Sequence, residues 1–367
     1  MTVMKGFAGL VMICLGLIVP SQLPAQETSY LFYVASESDD EVTLLRYSAD
    51  SGLRREKVIT VGSLSTEIEA PHGVFVDPNG KHWYVTLGHG FPFGFLVRYA
   101  TGADTVEARV ELGLFPATVA IPPFGGLALA VNSDFHGDMT PGTVSVVDLA
   151  SMTEIARTET CTMPHGSRFS PDGLLHYSAC MMDDQLVEID VATLSVSRRL
   201  DLIGGEPVSH HTTHANDGRS MGACSPTWVT PGPDGSHLYV TCNRGNQVLE
   251  VDAERFAITR RFESPGAPYN AAVTSDGSRL VVSLKAAGAV GVWDLSSGQR
   301  LAIIENTRSV THGLAITPDD HFAFVTVEGV GGEPGTVEVI DLTALRRVDQ
   351  IDVGKQAGGI AFWRVEN

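Results

Sequence analysis

Short apolar stretches recur along the chain in a fixed order, separated each time by the same kinds of turn residue. A unit opens on Pro-x-Gly or a close variant and runs into an apolar strand. It turns at Pro-Asp-Gly, continues through a Tyr-Val-Thr strand and closes on a third apolar strand ending near Asp. One unit runs from Pro164-His165-Gly166 through Pro171-Asp172-Gly173 and Tyr177 to Val187-Glu188-Ile189-Asp190. The next runs from Pro226 through Pro233-Asp234-Gly235 and Tyr239-Val240-Thr241 to Leu249-Glu250-Val251-Asp252. Looser copies start at Pro71, Pro116, Pro268 and Thr311. Self-similarity at about 40–45 residues, built from short strands and turns, predicts an all-β chain folded as a β-propeller.

The residue at the middle of each unit's opening marks its phase: His72, Ala117, His165, Thr227, Tyr269, His312 and Gly358. The last marker opens only one strand, Gly359 to Arg364. Strands that would complete its blade stand at the other end, at Tyr30 to Ser36, Val42 to Tyr47 and Val58 to Val61. The C-terminal strand is therefore expected to pair with N-terminal strands and close a seven-bladed ring, which removes exposed sheet edges. Residues 26–367 are read as this single domain. The spacing is regular except at 204–225, a stretch without strand pattern that must cross one face toward the axis.

The first 25 residues stand outside the repeat. Lys5, an apolar run from Phe7 to Val19 and Leu23-Pro24-Ala25 predict a secretory signal peptide, too short for a membrane span. No later stretch is apolar enough to cross a bilayer, so a periplasmic or secreted protein is expected. Export leaves Cys161, Cys180, Cys224 and Cys242 in an oxidising compartment. Cys161 and Cys224 lie just before an innermost strand, and Cys180 and Cys242 share one repeat position near the end of a second strand. Because those strands are antiparallel neighbours, disulfides Cys161–Cys180 and Cys224–Cys242 are expected; four thiolates on a metal are the rival. The formal net charge of −18 argues against nucleic acid or anionic lipid as a partner, since both need a basic footprint.

The segments Tyr84-Val85-Thr86-Leu87, Tyr239-Val240-Thr241-Cys242 and Phe324-Val325-Thr326-Val327, each after a Pro-Asn/Asp-type turn, resemble the YVTN repeat family. The resemblance covers essentially the whole chain after the signal segment. It implies a seven-bladed propeller of the group that includes the N-terminal domain of nitrous oxide reductase, the cytochrome d1 haem domain and bacterial lactonases. It implies no particular activity, because many activities sit on this scaffold. The chain also lacks the many hub histidines of nitrous oxide reductase, is expected to lack its copper-carrying domain, and has no c-type haem motif.

Three phase markers are histidines. His72, His165 and His312 open the innermost strands of blades two, four and seven, so the repeat should converge their imidazoles on the axis at one mouth. Three neutral imidazoles with an open fourth position suit zinc or copper. The ends of second strands reach the same mouth with His89, Asp134, His136, Lys285 and Glu328, and the 204–225 loop carries His210, His211 and His214. His89, His210 and His214 are candidate extra ligands; Glu328, Asp134 and His136 are candidate acid–base groups. The plainer alternative is a polar ring around a water-filled channel, with solvated loop histidines. His82, His176, His237 and His321 fall away from the mouth and are read as structural, and Met181 and Met182 as core. Gly-x-Ser-x-Gly, His-Glu-x-x-His, phosphate-loop and dinucleotide motifs are absent. The leading expectation is an exported propeller holding a transition metal over its channel, with metal-assisted redox, lyase or hydrolase chemistry on a small molecule. The other is a non-catalytic propeller presenting a face to another exported protein.

Overall fold

The computed structural model describes residues 1–3, 6, 27–63, 66–88, 93–135, 140–209 and 222–367. Most of the expected signal segment, together with His89, His136, His210, His211 and His214, lies outside the described residues. Among those described, the strands form seven antiparallel sheets, six of four strands and one of five. The chain is a seven-bladed propeller.

Closure follows the expected route. Ala357–Glu366 is the innermost strand of the first blade and pairs with Ser29–Ser36, in register from Ser29 opposite Glu366 to Ser36 opposite Ala357. Glu41–Ser48 and Gly52–Thr60 complete that blade. The other innermost strands are Pro71–Val76, Pro116–Ala120, Pro164–Phe169, Pro226–Pro231, Pro268–Val273 and Thr311–Ile316. The fourth blade departs from expectation: within the stretch read as strandless, Pro207–Val208 adds a fifth strand against Ser195–Asp201. Only two residues pair there, too few to leave a periodic signature.

Each blade is too small to bury its own faces, so the core lies between blades. Leu31, Tyr33, Trp83, Val85 and Val97 form one such layer between the first and second blades, all at most 3% exposed. Six comparable apolar layers separate the remaining neighbours. Second strands are buried almost throughout (His82–Leu87, Phe322–Val327), whereas outer strands such as Val106–Glu111 are largely exposed. Met163, Met181 and Met182 form their own buried apolar group.

Both expected disulfides are present, Cys161–Cys180 and Cys224–Cys242. Pro164 lies opposite Cys180 and Pro226 opposite Cys242. A cysteine just ahead of each proline therefore meets the end of the neighbouring strand.

The chain enters every innermost strand in the same unusual way. The residue before the strand has a positive φ in all seven blades: Ala70, Phe115, Met163, Ser225, Ala267, Val310 and Gln356. None of these is glycine, so each carries a backbone cost that the surrounding fold must offset. The ladder then breaks register around the marker, as between Pro71 and Val74 or Pro164 and Ser167. This repeated kink brings the marker residues together at the hub.

Candidate metal centre at the hub

The Pro-His-Gly motif has a local physical reason. A Cβ placed on Gly73 would lie 2.8 Å from the Ala117 carbonyl oxygen, and one on Gly166 would lie 2.4 Å from that of Thr227. Only glycine lets the backbone after the histidine approach the next blade so closely. Those same carbonyls accept hydrogen bonds from the preceding imidazoles. His72 Nδ1 donates to Ala117 O at 2.7 Å and His165 Nδ1 to Thr227 O at 3.0 Å. His312 faces the equivalent carbonyl, that of Gly358, but Thr326 Oγ1 already donates to it at 2.7 Å, and His312 Nδ1 has no well-aligned partner. Commitment of Nδ1 fixes the tautomer and leaves the Nε2 lone pair directed elsewhere, the usual second-shell arrangement of ligating histidines.

Four rings meet at the axis. The centroids of His72 and His165 are 5.6 Å apart, those of His72 and His312 5.6 Å, and those of His165 and Tyr269 5.5 Å. Tyr269 and His312 close the group at 4.5 Å. All are nearly enclosed, with His165 only 1% exposed. Burial pushes the imidazoles of His72 to about 4 and His165 to about 3, and holds His312 well below the ordinary value; nearby Lys285 lowers all three further. The three rings are neutral at physiological pH, the form that ligates metal.

The structure also brings in a residue that the repeat reading overlooked. Glu37 follows the second strand of the first blade, at the register position that Lys285 and Glu328 hold in blades six and seven. The pairs Ser36–Ala357, Leu284–Pro268 and Val327–Thr311 establish the equivalence. Because the first blade starts with its second strand and takes its marker from the C-terminus, Glu37 has no Pro-x-Gly opening before it. Counting one residue past Ser36 would have found it.

Glu37 is 6% exposed. Gln356 Nε2 donates to its Oε2 at 2.9 Å, while Oε1 stands 3.6 Å from His72 Nε2. Burial, then the negative charge of Glu328, pushes its carboxyl up to about 8. Glu328 Oε1 pairs with Lys285 Nζ at 2.9 Å and lies 3.8 Å from His312 Nε2. Lys285 stands 4.1 Å over the Tyr269 ring. Burial alone would depress its ammonium, but Tyr269, Glu328 and Glu37 raise it. Tyr269, in turn, is pushed by burial to about 12.

Glu37, His72 and His312 form a group whose ligand atoms all lie within 4.8 Å of one another and which can hold a metal ion. His165 is placed differently. Its Nε2 accepts a hydrogen bond from the Tyr269 hydroxyl at 3.0 Å. Asp134 stands one residue beyond the register position of Glu37, because Asn132 pairs with Pro116 and Ser133 follows. Its backbone N–H donates to Leu114 O. Of the histidines read as structural, His82 lies between Asp77 and Glu107, His237 contacts Ser236, His321 faces Asp319 and His176 is fully buried.

Fold and hub together define a seven-bladed propeller with a buried His–Tyr–Glu cluster at one mouth of its channel. The chain is similar in structure to Kuenenia stuttgartiensis hydrazine synthase, with 18% identity, a TM-score of 0.65, and coverage of 83% of this chain and 92% of that one. It is also similar to a functionally unknown protein from Desulfotomaculum acetoxidans DSM 771, with 16% identity, a TM-score of 0.70, and coverage of 90% and 98%. At these identities the likeness concerns the fold alone. No protein-family model matches the chain, and none of the curated proteins does.

Proposed function

We propose that this chain is an exported propeller that holds a divalent transition metal at its hub, with Glu37, His72 and His312 as ligands. The observation that carries the reading is the group of one carboxyl and two neutral imidazoles, buried and converging from three separate segments; binding a metal would displace the carboxyl proton. Bonds of about 2.0–2.1 Å require these side chains to draw together slightly around an ion. Two histidines and a carboxylate suit zinc, non-haem iron(II) or copper(II), whereas copper(I) favours softer donors. Met181 and Met182, the soft candidates, pack instead against Met163.

Three protein ligands leave a coordination position open for a small molecule, and the metal would serve there as Lewis acid or redox centre. Glu328, salt-bridged to Lys285 beside His312, is the nearest candidate for moving a proton. Residues 1–25 are read as the export signal and 204–225 as an insertion in one propeller domain. Two disulfides support an oxidising compartment. Among the described residues no helix is long and apolar enough to cross a membrane.

Elemental analysis of protein purified without a histidine tag tests the reading. One equivalent of metal is expected, lost in His72→Ala and in Glu37→Gln. Substoichiometric metal in the native protein, or undiminished metal in His72→Ala/His312→Ala, would overturn it.

A further inference from the structure

His72 and His312 also line a small cavity of about 30 Å³ in the channel, and a different set of groups lines it with them. Arg168, Trp228 and Asn270 come from the innermost strands of the fourth, fifth and sixth blades. Of the lining residues, Arg168 alone carries a full charge. Among the described residues it has no carboxylate partner. Its Nη1 donates to the Ser167 carbonyl at 2.8 Å, and its guanidinium carbon lies 4.4 Å over the Trp228 ring. A single hydrogen bond and one cation–π contact leave most of its five N–H donors without a counter-charge.

The neighbours are unsatisfied too. Trp228 Nε1 and Asn270 Oδ1 are both buried without a hydrogen-bond partner, in residues 7% and 4% exposed. Buried polar atoms of this kind are uncommon and call for an explanation. The oxygen and nitrogen of an asparagine amide are interchangeable by a flip, so Asn270 can present an N–H as readily as a carbonyl. An otherwise acidic protein thus has a cavity with one cation, an idle indole N–H and an idle amide.

We propose that this cavity is an anion site, binding one monovalent anion of halide size through the Arg168 guanidinium, the Trp228 indole N–H and the Asn270 amide. The volume is enough for a single such ion or one to two waters. A water would satisfy hydrogen bonds but supply no counter-charge to the partly exposed Arg168 guanidinium. The site is independent of the metal reading and is tested on metal-stripped protein.

Crystals of the native chain grown in sodium bromide should show an anomalous peak within hydrogen-bond reach of Arg168 and Trp228. In solution, chloride or bromide at constant ionic strength should raise Tm saturably, and gluconate, too large for the cavity, should not. Trp228→Phe should weaken the half-saturation about tenfold, the loss expected for a hydrogen bond to an ion, and Arg168→Gln should abolish the response. Absence of the bromide peak overturns the proposal, as does a gluconate response equal to that of chloride or an unchanged response in Arg168→Gln. Should Arg168→Gln fail to fold, the native bromide crystal and Trp228→Phe decide the question.

Discussion

The Tyr269 hydroxyl donates a hydrogen bond to His165 Nε2 at 3.0 Å, and this contact divides three histidines of equal repeat phase into two kinds. His72 and His312 keep Nε2 near a glutamate carboxyl group, whereas His165 spends its Nε2 on a neutral phenol. The arrangement predicts unequal responses to mutation. His165→Ala should retain the metal equivalent that His72→Ala loses, because the imidazole it removes is already engaged. Tyr269→Phe should free that Nε2 and alter the metal's spectrum in a cobalt-substituted sample. Equal metal loss in His165→Ala and His72→Ala would show that His165 is a ligand of the same standing.

The glycine after a hub histidine should be as sensitive as the histidine itself. A Cβ on Gly166 would meet Thr227 O at 2.4 Å and Trp228 Cα at 2.7 Å, backbone atoms that cannot move without shifting the adjacent blade. Gly166→Ala should therefore cost at least about 1–3 kcal/mol, as overpacking does. Gly332→Ala is the control, since nothing lies within 4 Å of its Cβ position, and it should stay within about 0.5 kcal/mol of the native protein. Urea unfolding of the two variants checks both values.

Legibility tracked periodicity. Blade number, ring closure and both disulfide pairs follow from repeat phase, because the turn residues and Tyr-Val-Thr strands reappear at fixed offsets. The convergence of His72, His165 and His312 was visible for the same reason. Glu37 was not, since its blade is split between the chain's two ends and lacks the local opening that marks the others. The distinction between His165 and His312 was also hidden. It depends on which side chains meet across the axis, and Tyr269 is a marker whose identity says nothing about its partner. Arg168 escaped for a related reason: inside a strand that reads as apolar, one cation signals little until the surrounding charges are known.

Each disulfide should stabilise the fold without setting it. Cys161–Cys180 and Cys224–Cys242 close loops of 19 and 18 residues by sequence separation, for which the chain-entropy model gives about 3 kcal/mol apiece. Cys161, in the outer strand of the third blade, bridges to the second strand of the fourth, and Cys224 ties the segment ahead of the fifth blade's innermost strand to that blade's second strand. The strands of every blade are paired independently of these bridges, so Cys161→Ser/Cys180→Ser should lower the urea midpoint with the far-ultraviolet spectrum unchanged. A variant that loses its strand spectrum at zero urea would show that the bridge is needed for the blade to form.

Acid should unfold the metal-free protein through its buried imidazoles. His176 is fully buried, neither ring nitrogen has a hydrogen-bond partner, and burial followed by the nearby Arg168 charge pushes it to about 3. His72 and His165, at about 4 and 3, and His312 are displaced the same way. Below the ordinary histidine value near 6.5 the unfolded chain takes up protons that the folded chain refuses. The stability these groups contribute is complete above pH 6.5 and drains away as pH falls toward 3. Glu37, raised to about 8, works in the opposite sense: its contribution is full below the ordinary carboxyl value and is lost as pH rises through 8. Four imidazoles outweigh one carboxyl on the acid side, so urea-derived stability should fall steadily from pH 6.5 to 4. His176 lies apart from the proposed ligands, and His176→Phe removes one titrating group from that slope. The slope should then decrease by up to about 1.4 kcal/mol per pH unit. An identical slope in the variant would mean that His176 does not resist protonation in the folded state.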